Sequence, residues 1–222
     1  MKNELTQTIK ALKNYIKMEE EALLFEIPMR SAFLEEKTID KRAALAKIAK
    51  EISACRGCEL YQTRRNTVPG EGSENARLMF IGEAPGMEED IQARPFVGRA
   101  GQLLTKIIEA MGMRRQDVYI ANSLKCRPPK NRTPLPAEIA ACRNYLTSQI
   151  DIIKPTVICC LGRPASQALL VTDMPIGKLR GKFYDYNGIK VMPTFHPAYL
   201  LRNPADKKIV WEDMKKIKSA LR

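Results

Sequence analysis

Four short apolar runs constrain the fold of this chain more than any other feature of its sequence. They lie at residues 77–81, 118–121, 156–161 and 190–194. Amphipathic helical patterns lie between or after these runs, at about residues 100–111, 136–153, 164–171 and 207–221. Short buried strands that alternate with helices are typical of a parallel sheet covered on both faces. The sequence therefore predicts an α/β fold, a three-layer αβα sandwich around a four-stranded, mainly parallel sheet.

The first fifty residues do not follow this pattern and contain no chemical motif. Their apolar side chains recur at the spacing of an amphipathic helix, at Leu5, Ile9, Leu12 and Ile16. A second helical pattern follows at about residues 40–52. We therefore predict a helical N-terminal extension of unknown role over residues 1–50, followed by an α/β domain over residues 51–222.

The charge of the chain indicates its class of partner. The 222 residues include 37 Lys+Arg and 25 Asp+Glu, and most of the net charge of +12 lies after residue 50. A basic surface on this part favours a polyanionic partner, most simply nucleic acid, although a lysine-rich solvated surface has the same composition.

The sequence also predicts where the protein acts. No apolar run approaches the roughly 20 residues of a membrane span, and the N-terminus lacks the pattern of a secretion signal. We therefore expect a cytoplasmic protein without a membrane partner. In that compartment the six cysteines are not expected to form structural disulfides.

Glycine, proline and charged residues are concentrated just after the first apolar run. Gly-Glu-Ala-Pro-Gly occupies residues 82–86, and Arg-Pro-Phe-Val-Gly-Arg-Ala-Gly occupies residues 94–101. A buried strand that ends in such a loop is typical of the sheet edge where α/β proteins bind ligands. The loops after the other three runs should lie along the same edge, so we predict a functional site there.

Four of the cysteines have the spacing of metal ligands. Cys55 and Cys58 form a Cys-x2-Cys pair, and Cys126 and Cys142 follow with 15 residues between them. Such a set suits tetrahedral zinc or an iron–sulfur cluster, because the two-residue spacer lets both thiolates face one centre. The wide second spacing slightly favours a cluster over a zinc ribbon. Four unrelated buried thiols are the remaining alternative.

The last predicted loop contains the single histidine of the sequence, His196. It follows the fourth apolar run and precedes Pro197, which keeps its backbone extended. Leu200, Leu201 and Arg202 follow in the same loop, and exposed leucine in a basic loop is suited to wedge into a stack of bases. The alternative for either leucine is burial under the edge of the sheet.

Taken in order, these motifs resemble the family 4 uracil-DNA glycosylases, the iron–sulfur type of their superfamily. The resemblance covers about residues 53–221 and rests on the cysteine pair, residues 82–86, 94–99, 122–129 and 161–163, Cys142, and His196-Pro197. It implies a monofunctional hydrolase of base excision repair. The substrate would be uracil-containing DNA, from which the enzyme releases uracil by hydrolysing the N-glycosidic bond of deoxyuridine, leaving an abasic site. It also implies a [4Fe–4S] cluster held by Cys55, Cys58, Cys126 and Cys142.

The same resemblance implies roles for individual pocket residues. Phe96 would stack on the flipped base, Asn122 would recognise the uracil edge, and His196 would stabilise the departing uracil anion. The pocket would be completed by backbone amides of the first loop, which we assign to Gly82, Ala84 and Gly86.

Two carboxylates are assigned further roles. Better-known uracil glycosylases carry an aspartate where this chain has Ala84, which leaves Glu83 as the nearby carboxylate. Glu83 either orients the attacking water or stabilises the positively charged sugar, and we favour the second role. Glu89, in preference to Glu88, is expected to exclude thymine by its bulk beside C5. The loop after residue 129 has no histidine, so covalent capture of DNA is not expected.

The remaining assignments concern the DNA strand. Leu200 or Leu201 would fill the gap left by the flipped base, and Arg99, Arg163 and Arg202 would hold phosphates. We expect a monomer. Two other functions remain open at this point: a glycosylase for another deaminated base, and a non-enzymatic nucleic-acid-binding module stabilised by metal.

Overall fold

The computed structural model describes residues 9–17, 40–170 and 172–222. The chain forms two compact units, Met1–Ile39 and Asp40–Arg222. In the first unit the described residues form helix α1 at residues 9–17, as the periodicity predicts, and Ile9, Leu12 and Ile16 are all exposed. Leu5 and the remainder of the predicted extension lie outside the described residues.

The second unit is built on a six-stranded sheet. Its strands are β1 (Glu71–Gly72), β2 (Leu78–Gly82), β3 (Tyr119–Asn122), β4 (Val157–Leu161), β5 (Tyr184–Tyr186) and β6 (Ile189–Thr194). Their order in the sheet is β1-β3-β2-β4-β6-β5. The four central strands are parallel and correspond to the four predicted runs. The edge strands β1 and β5 pair antiparallel and were not predicted, because two or three residues are too short to form an alternating pattern.

Helices cover both faces of this sheet and confirm the three-layer α/β fold. They are α2 (Lys41–Ala54), α3 (Met87–Gln92), α4 (Arg99–Ala110), α5 (Pro136–Ile153), α6 (Arg163–Leu169), α7 (Ile176–Leu179), α8 (Pro197–Arg202) and α9 (Lys207–Ala220). Buried side chains of α4, α8 and α9 pack on one face, and those of α5 and α6 pack on the other. None of the described helices is long and apolar enough to cross a membrane.

Helix α2 packs with the α/β unit. Asp40 caps its first turn by accepting a hydrogen bond from the Ala43 N–H (3.0 Å), and Lys41 Nζ donates to the Ile153 carbonyl at the end of α5 (3.0 Å). Ile48 and Ile52 are buried on the inner face of this helix. The boundary between the units therefore lies at residues 39 and 40, earlier than the sequence prediction of 50 and 51. Periodicity predicted the helix but not the surface that covers its apolar face.

The strand register determines where the loops meet. Gly82 at the end of β2 pairs with Asn122 at the end of β3, and Leu161 at the end of β4 pairs with Thr194 at the end of β6. Because these strands are parallel, their carboxyl ends share one edge of the sheet. The loops that follow all four strands therefore start from that edge, where the sequence predicts the functional site.

Candidate active site

A cavity of about 590 Å³ opens at this edge of the sheet. The predicted site residues that line it are Glu83, Ala84, Gly86, Glu89, Phe96, Arg99, Asn122, His196 and Arg202. They are distributed over more than a hundred positions of the chain and come from three of the four loops. The fold therefore brings together most of the residues to which the family resemblance assigns a role.

Asn122 lines the cavity, and the hydrogen bonding of its buried side-chain amide is unusual. The residue is 2% exposed, and its side-chain oxygen Oδ1 is buried without a hydrogen-bond partner among the described residues. A buried amide oxygen that lacks a donor is costly, so such atoms in native structures call for a specific explanation. A ligand with an N–H group would supply the missing donor.

Gly82 permits the close contact between the two central pocket side chains. A Cβ atom at this position would overlap both the Asn122 Oδ1 atom and the edge of the Phe96 ring. Only glycine leaves that space free. Gly82 therefore contributes to the pocket by its lack of a side chain, and the predicted role of its backbone amide stays a prediction.

Phe96 adopts a conformation that bulky residues rarely take. Its φ angle is +51°, in the left-handed region, where a Cβ atom normally clashes. The ring is 6% exposed, and its centroid lies 5.7 Å from that of the His196 ring. Gly101 makes this geometry possible, because a Cβ there would overlap the Phe96 carbonyl group. Strained conformations of this kind persist only where the surrounding contacts enforce them, and they concentrate at functional sites.

Glu89 fixes the two loops around the pocket. Its carboxylate accepts hydrogen bonds from the backbone N–H groups of Gly86 (3.1 Å), Val97 (2.9 Å) and Gly98 (2.9 Å). It thereby joins the start of α3 to the start of α4, a role that the sequence did not indicate. Its side chain also lines the cavity, so exclusion of thymine by Glu89 stays a prediction.

His196 is neutral and has a defined tautomer. Burial and, to a smaller degree, the nearby Arg202 guanidinium lower its pKa to about 4, although Glu89 acts in the opposite direction. Its Nδ1 atom accepts a hydrogen bond from the Ala198 N–H (3.1 Å) at the start of α8. An accepting Nδ1 places the ring proton on Nε2. His196 therefore offers one neutral N–H donor.

Glu83 is a half-buried carboxylate on the wall of the same cavity. Burial raises the pKa of this group above its ordinary value. Its backbone is fixed, since the Glu83 carbonyl accepts a hydrogen bond from the Leu124 N–H (3.0 Å) in the next loop. A partly desolvated negative charge interacts more strongly with a positive charge than one in open water.

The predicted DNA contacts separate into two groups. Leu200 is 1% exposed and packs into the core, so the prediction that it contacts DNA is wrong, whereas Leu201 is 36% exposed. Adjacent positions on a helix face different directions, and α8 turns one leucine inward and the other outward. Arg99 and Arg202 are exposed and line the cavity; Arg163 is exposed at the start of α6 but does not line it.

The cavity also has a wall that sequence reasoning missed. Asn131 and Arg132 line it from the loop after β3, and Tyr199 lines it from α8. Arg132 forms an ion pair with the nearly buried Glu138 (2.6 Å), which fixes the loop on α5. The available sequence signal for Arg132 was the density of basic residues in this loop.

The four predicted metal ligands line a second, smaller cavity. Arg64 Nη1 donates to the Cys126 sulfur (3.0 Å), and the Lys125 N–H donates to the Cys142 sulfur (3.3 Å). Burial raises the pKa of the Cys142 thiol to about 11, and burial also raises that of Cys126. Over the described ranges, no group of three or more cysteine, histidine or carboxylate side chains is placed to hold a single metal ion.

A short segment connects the two cavities. The side chain of Lys125 is fully buried, and its Nζ atom donates to the Asn122 carbonyl (2.8 Å) and to Gln149 Oε1 on α5 (2.7 Å). Burial lowers the pKa of Lys125 to about 8, which the Cys142 sulfur opposes. The buried amine therefore fastens the backbone of Asn122 to α5, the helix that carries Cys142.

Comparison with known proteins identifies the family of this architecture. The family model described as "Uracil DNA glycosylase superfamily" matches residues 69–215. The type-4 uracil-DNA glycosylase of Saccharolobus solfataricus is 50% identical over 183 residues, which cover 78% of this chain and 85% of that protein. The type-4 uracil-DNA glycosylases of Thermotoga maritima and Archaeoglobus fulgidus are 49% and 45% identical, over 79% and 78% of this chain and 93% and 92% of those proteins. This chain belongs to the type-4 uracil-DNA glycosylases.

Membership of the type-4 uracil-DNA glycosylases confirms the resemblance that the sequence motifs indicated. The matched residues 69–215 contain all four loops at the carboxyl edge of the sheet, and with them every lining residue of the larger cavity. The first cysteine pair, Cys55 and Cys58, lies before that range. The family match therefore covers the whole cavity but not the first cysteine pair.

The depressed pKa of His196 predicts a specific loss of stability in acid. The unfolded chain binds a proton at this histidine below about pH 6.5, whereas the folded chain does so only near pH 4. The free energy of unfolding should therefore fall as the pH falls through this window, by at most roughly 3 kcal/mol from this residue. Denaturant titrations of the wild type and of His196→Asn, which keeps a capping side chain, measure the difference.

Carboxylates whose pKa is raised, such as Glu83, are present in both proteins. Their contributions to the pH dependence of the free energy of unfolding therefore cancel in this comparison. His196→Asn should show a flatter dependence of stability on pH between 6.5 and 4. Parallel curves for the two proteins would contradict the assignment of a neutral, desolvated imidazole.

Proposed function

We propose that this type-4 glycosylase hydrolyses the N-glycosidic bond of deoxyuridine in DNA, releasing uracil and leaving an abasic site. The observation that carries the proposal is the buried, unpaired Oδ1 of Asn122, beside the Phe96 and His196 rings in one cavity. A base drawn out of the duplex would enter that cavity between these three side chains. The names of the relatives and the basic charge of the domain support the same substrate.

Selection of uracil follows from the hydrogen-bonding capacity of Asn122. Its Oδ1 atom would accept from uracil N3–H, and its amide NH2 group would donate to uracil O4. Cytosine presents an acceptor at N3 and a donor at position 4, so it would leave the buried Oδ1 atom without a partner. Sites that contain a buried polar group reject ligands that cannot pair with it, because that group then stays unsatisfied.

The chemistry requires stabilisation of two opposite charges. As the bond between N1 and C1′ breaks, the electron pair moves to uracil and the sugar becomes positively charged. The neutral His196 would donate its Nε2–H to uracil O2, where negative charge develops. Glu83 would stabilise the sugar, water oxygen would bond to C1′, and the proton of that water would pass to solvent.

Binding of the DNA strand is assigned to exposed residues at the mouth of the cavity. Arg99 and Arg202 would contact phosphates, and Leu201 would fill the space left by the extruded nucleotide. Arg163 would contact the strand farther from the cavity, from its exposed position at the start of α6. Such contacts release counterions, so affinity should fall steeply with salt. We propose that the protein acts on intracellular DNA as a monomer.

We also propose that Cys55, Cys58, Cys126 and Cys142 hold a [4Fe–4S] cluster. Four thiols around one cavity are the donor set that such a cluster uses, and three of the sulfurs already accept N–H hydrogen bonds. Bound iron would also offset the cost of burying thiolates. The cluster would supply a structural link between the segment after α2 and helix α5, since hydrolysis of the base needs no electron.

An excision assay tests the function and separates it from its alternatives. Duplexes that contain uracil, hypoxanthine, a thymine mismatch or normal bases are incubated with the protein, and abasic sites are then cleaved with alkali. We expect scission only with uracil.

Asn122→Ala should lower kcat/KM for the uracil duplex roughly 100-fold, because two hydrogen bonds to the base are lost. Asn144→Ala, on the exposed face of α5, should not change it.

Scission of the hypoxanthine duplex instead would indicate a glycosylase for another deaminated base. Binding of all the duplexes with no scission would indicate a nucleic-acid-binding module and would contradict the proposed activity.

A second experiment tests the role of Glu83. Glu83→Gln keeps the shape of the side chain but removes the charge that would stabilise the sugar. The single-turnover excision rate should fall about 100-fold, while affinity for DNA stays near that of the wild type. Glu88→Gln, an exposed neighbour on α3, is the matched control. A wild-type rate for Glu83→Gln would remove this carboxylate from the mechanism.

Metal analysis tests the cluster. The purified protein should be coloured and should contain about four iron atoms per chain. Cys142→Ser should lower the iron content and the thermal midpoint, whereas Cys160→Ser, in the buried strand β4, should keep the iron. Protein that is colourless and contains zinc in place of iron would overturn the assignment.

A further inference from the structure

The strained backbone of Phe96 is held on both sides, and one side lies outside the pocket. After Phe96, the N–H groups of Val97 and Gly98 donate to Glu89, which lines the cavity. Before it, the Pro95 carbonyl accepts a hydrogen bond from Arg115 Nη2 (2.5 Å). Arg115 does not line the cavity, so it restrains the loop without reaching a ligand.

Arg115 is itself fixed by three further contacts. Its Nε and Nη2 atoms lie 2.8 and 2.7 Å from Glu71 Oε1, and Nη1 donates to Thr105 Oγ1 on α4 (3.2 Å). Its side chain is 20% exposed and that of Glu71 is 24% exposed. The guanidinium is therefore oriented by an edge strand and a helix, and an N–H of its Nη2 atom is directed at the Pro95 carbonyl.

Glu71 restrains the same loop through a second arginine. Arg94 Nε donates to Glu71 Oε2 (2.8 Å), so the two residues that precede Phe96 are both connected to this carboxylate. Burial alone would raise the pKa of Glu71, but the guanidiniums of Arg94 and Arg115 lower it overall. The carboxylate is thus ionised and accepts from both arginines.

We infer that Glu71 and Arg115 are positioning residues for the Phe96 ring, acting through the Pro95 carbonyl. The inference rests on the proposed function, in which Phe96 stacks on the extruded uracil. A phenylalanine at φ +51° relaxes toward an ordinary backbone conformation when its restraints are removed, and this rotation turns the ring away from the pocket. Glu71 and Arg115 thereby keep the Phe96 ring in its stacking orientation before the base binds.

The chain provides a matched control one residue away. Arg114 forms an ion pair with Asp117 (2.7 Å) in the same turn, and its side chain is 74% exposed. Its side-chain hydrogen bonds are to Asp117. Arg114→Gln and Arg115→Gln are therefore the same substitution in neighbouring ion pairs, only one of which restrains the Phe96 loop.

Three measurements on the full-length protein distinguish positioning from general stability. Arg115→Gln should lower the single-turnover excision rate about 10-fold and weaken inhibition by free uracil by a similar factor, as expected for partial loss of base stacking. Its affinity for a duplex with a base-free abasic analogue should not change, because that duplex offers nothing to stack on Phe96. Arg114→Gln should match the wild type in all three measurements.

A double-mutant comparison tests the route of the effect. In a Phe96→Ala background, Arg115→Gln should lower the excision rate no further, because the ring through which it acts is absent. Glu71→Gln, which keeps the side-chain volume, should reproduce the loss seen for Arg115→Gln and replaces it if that variant does not fold.

Wild-type rates and uracil inhibition in folded Arg115→Gln would overturn the inference. An equal loss of affinity for the abasic duplex, or a full further loss in the Phe96→Ala background, would also overturn it. Failure of the proposed function is a different result: the wild type itself would excise no uracil, and the positioning role would fall with it.

Discussion

The pocket depends on the space that Gly82 leaves empty at the end of β2. The parallel register places Gly82 beside Asn122, and the loop after α3 brings the Phe96 ring against the same point. Any side chain at Gly82 would separate the amide from the ring. The backbone at this crossing is also fixed, since the Gly82 carbonyl accepts the N–H and the hydroxyl of Ser123. The absence of a Cβ atom at Gly82 therefore lets the Asn122 amide and the Phe96 ring, the two groups that would hold a base, approach each other.

Three energetic costs of this arrangement lie in the pocket. Asn122 has an unpaired buried oxygen, Phe96 has a strained φ angle, and His196 is desolvated. Elsewhere the sheet has ordinary parallel pairing between continuous apolar strands. Local rules are typically broken at functional sites and compensated by their surroundings. Here the compensation comes from Glu89 on the inner side of the loop and from Arg115 on the outer side.

Much of the fold was predictable because its central strands are buried on both faces. Such strands appear as continuous apolar runs, and all four were located to within one residue at either end. Their parallel order then placed Phe96, Asn122 and His196 at one edge. Strands β1 and β5 were not predictable, because so few residues carry no periodic signal.

Side-chain directions and long-range polar contacts were less accessible to the sequence. The burial of Leu200 depends on the way α8 is turned on α4, which spacing alone does not give. The binding of three backbone amides by Glu89 depends on a loop conformation that contains a left-handed phenylalanine. The pairing of Glu71 with Arg115 spans 44 positions and forms no motif.

The buried amine of Lys125 makes the geometry of one cavity depend on that of the other. Asn122 and Cys126 lie on one short stretch of chain, and the amine holds the start of that stretch to the helix that supplies Cys142. A displacement of Cys126 or of the helix that carries Cys142 would therefore be transmitted to the backbone of Asn122 through this contact.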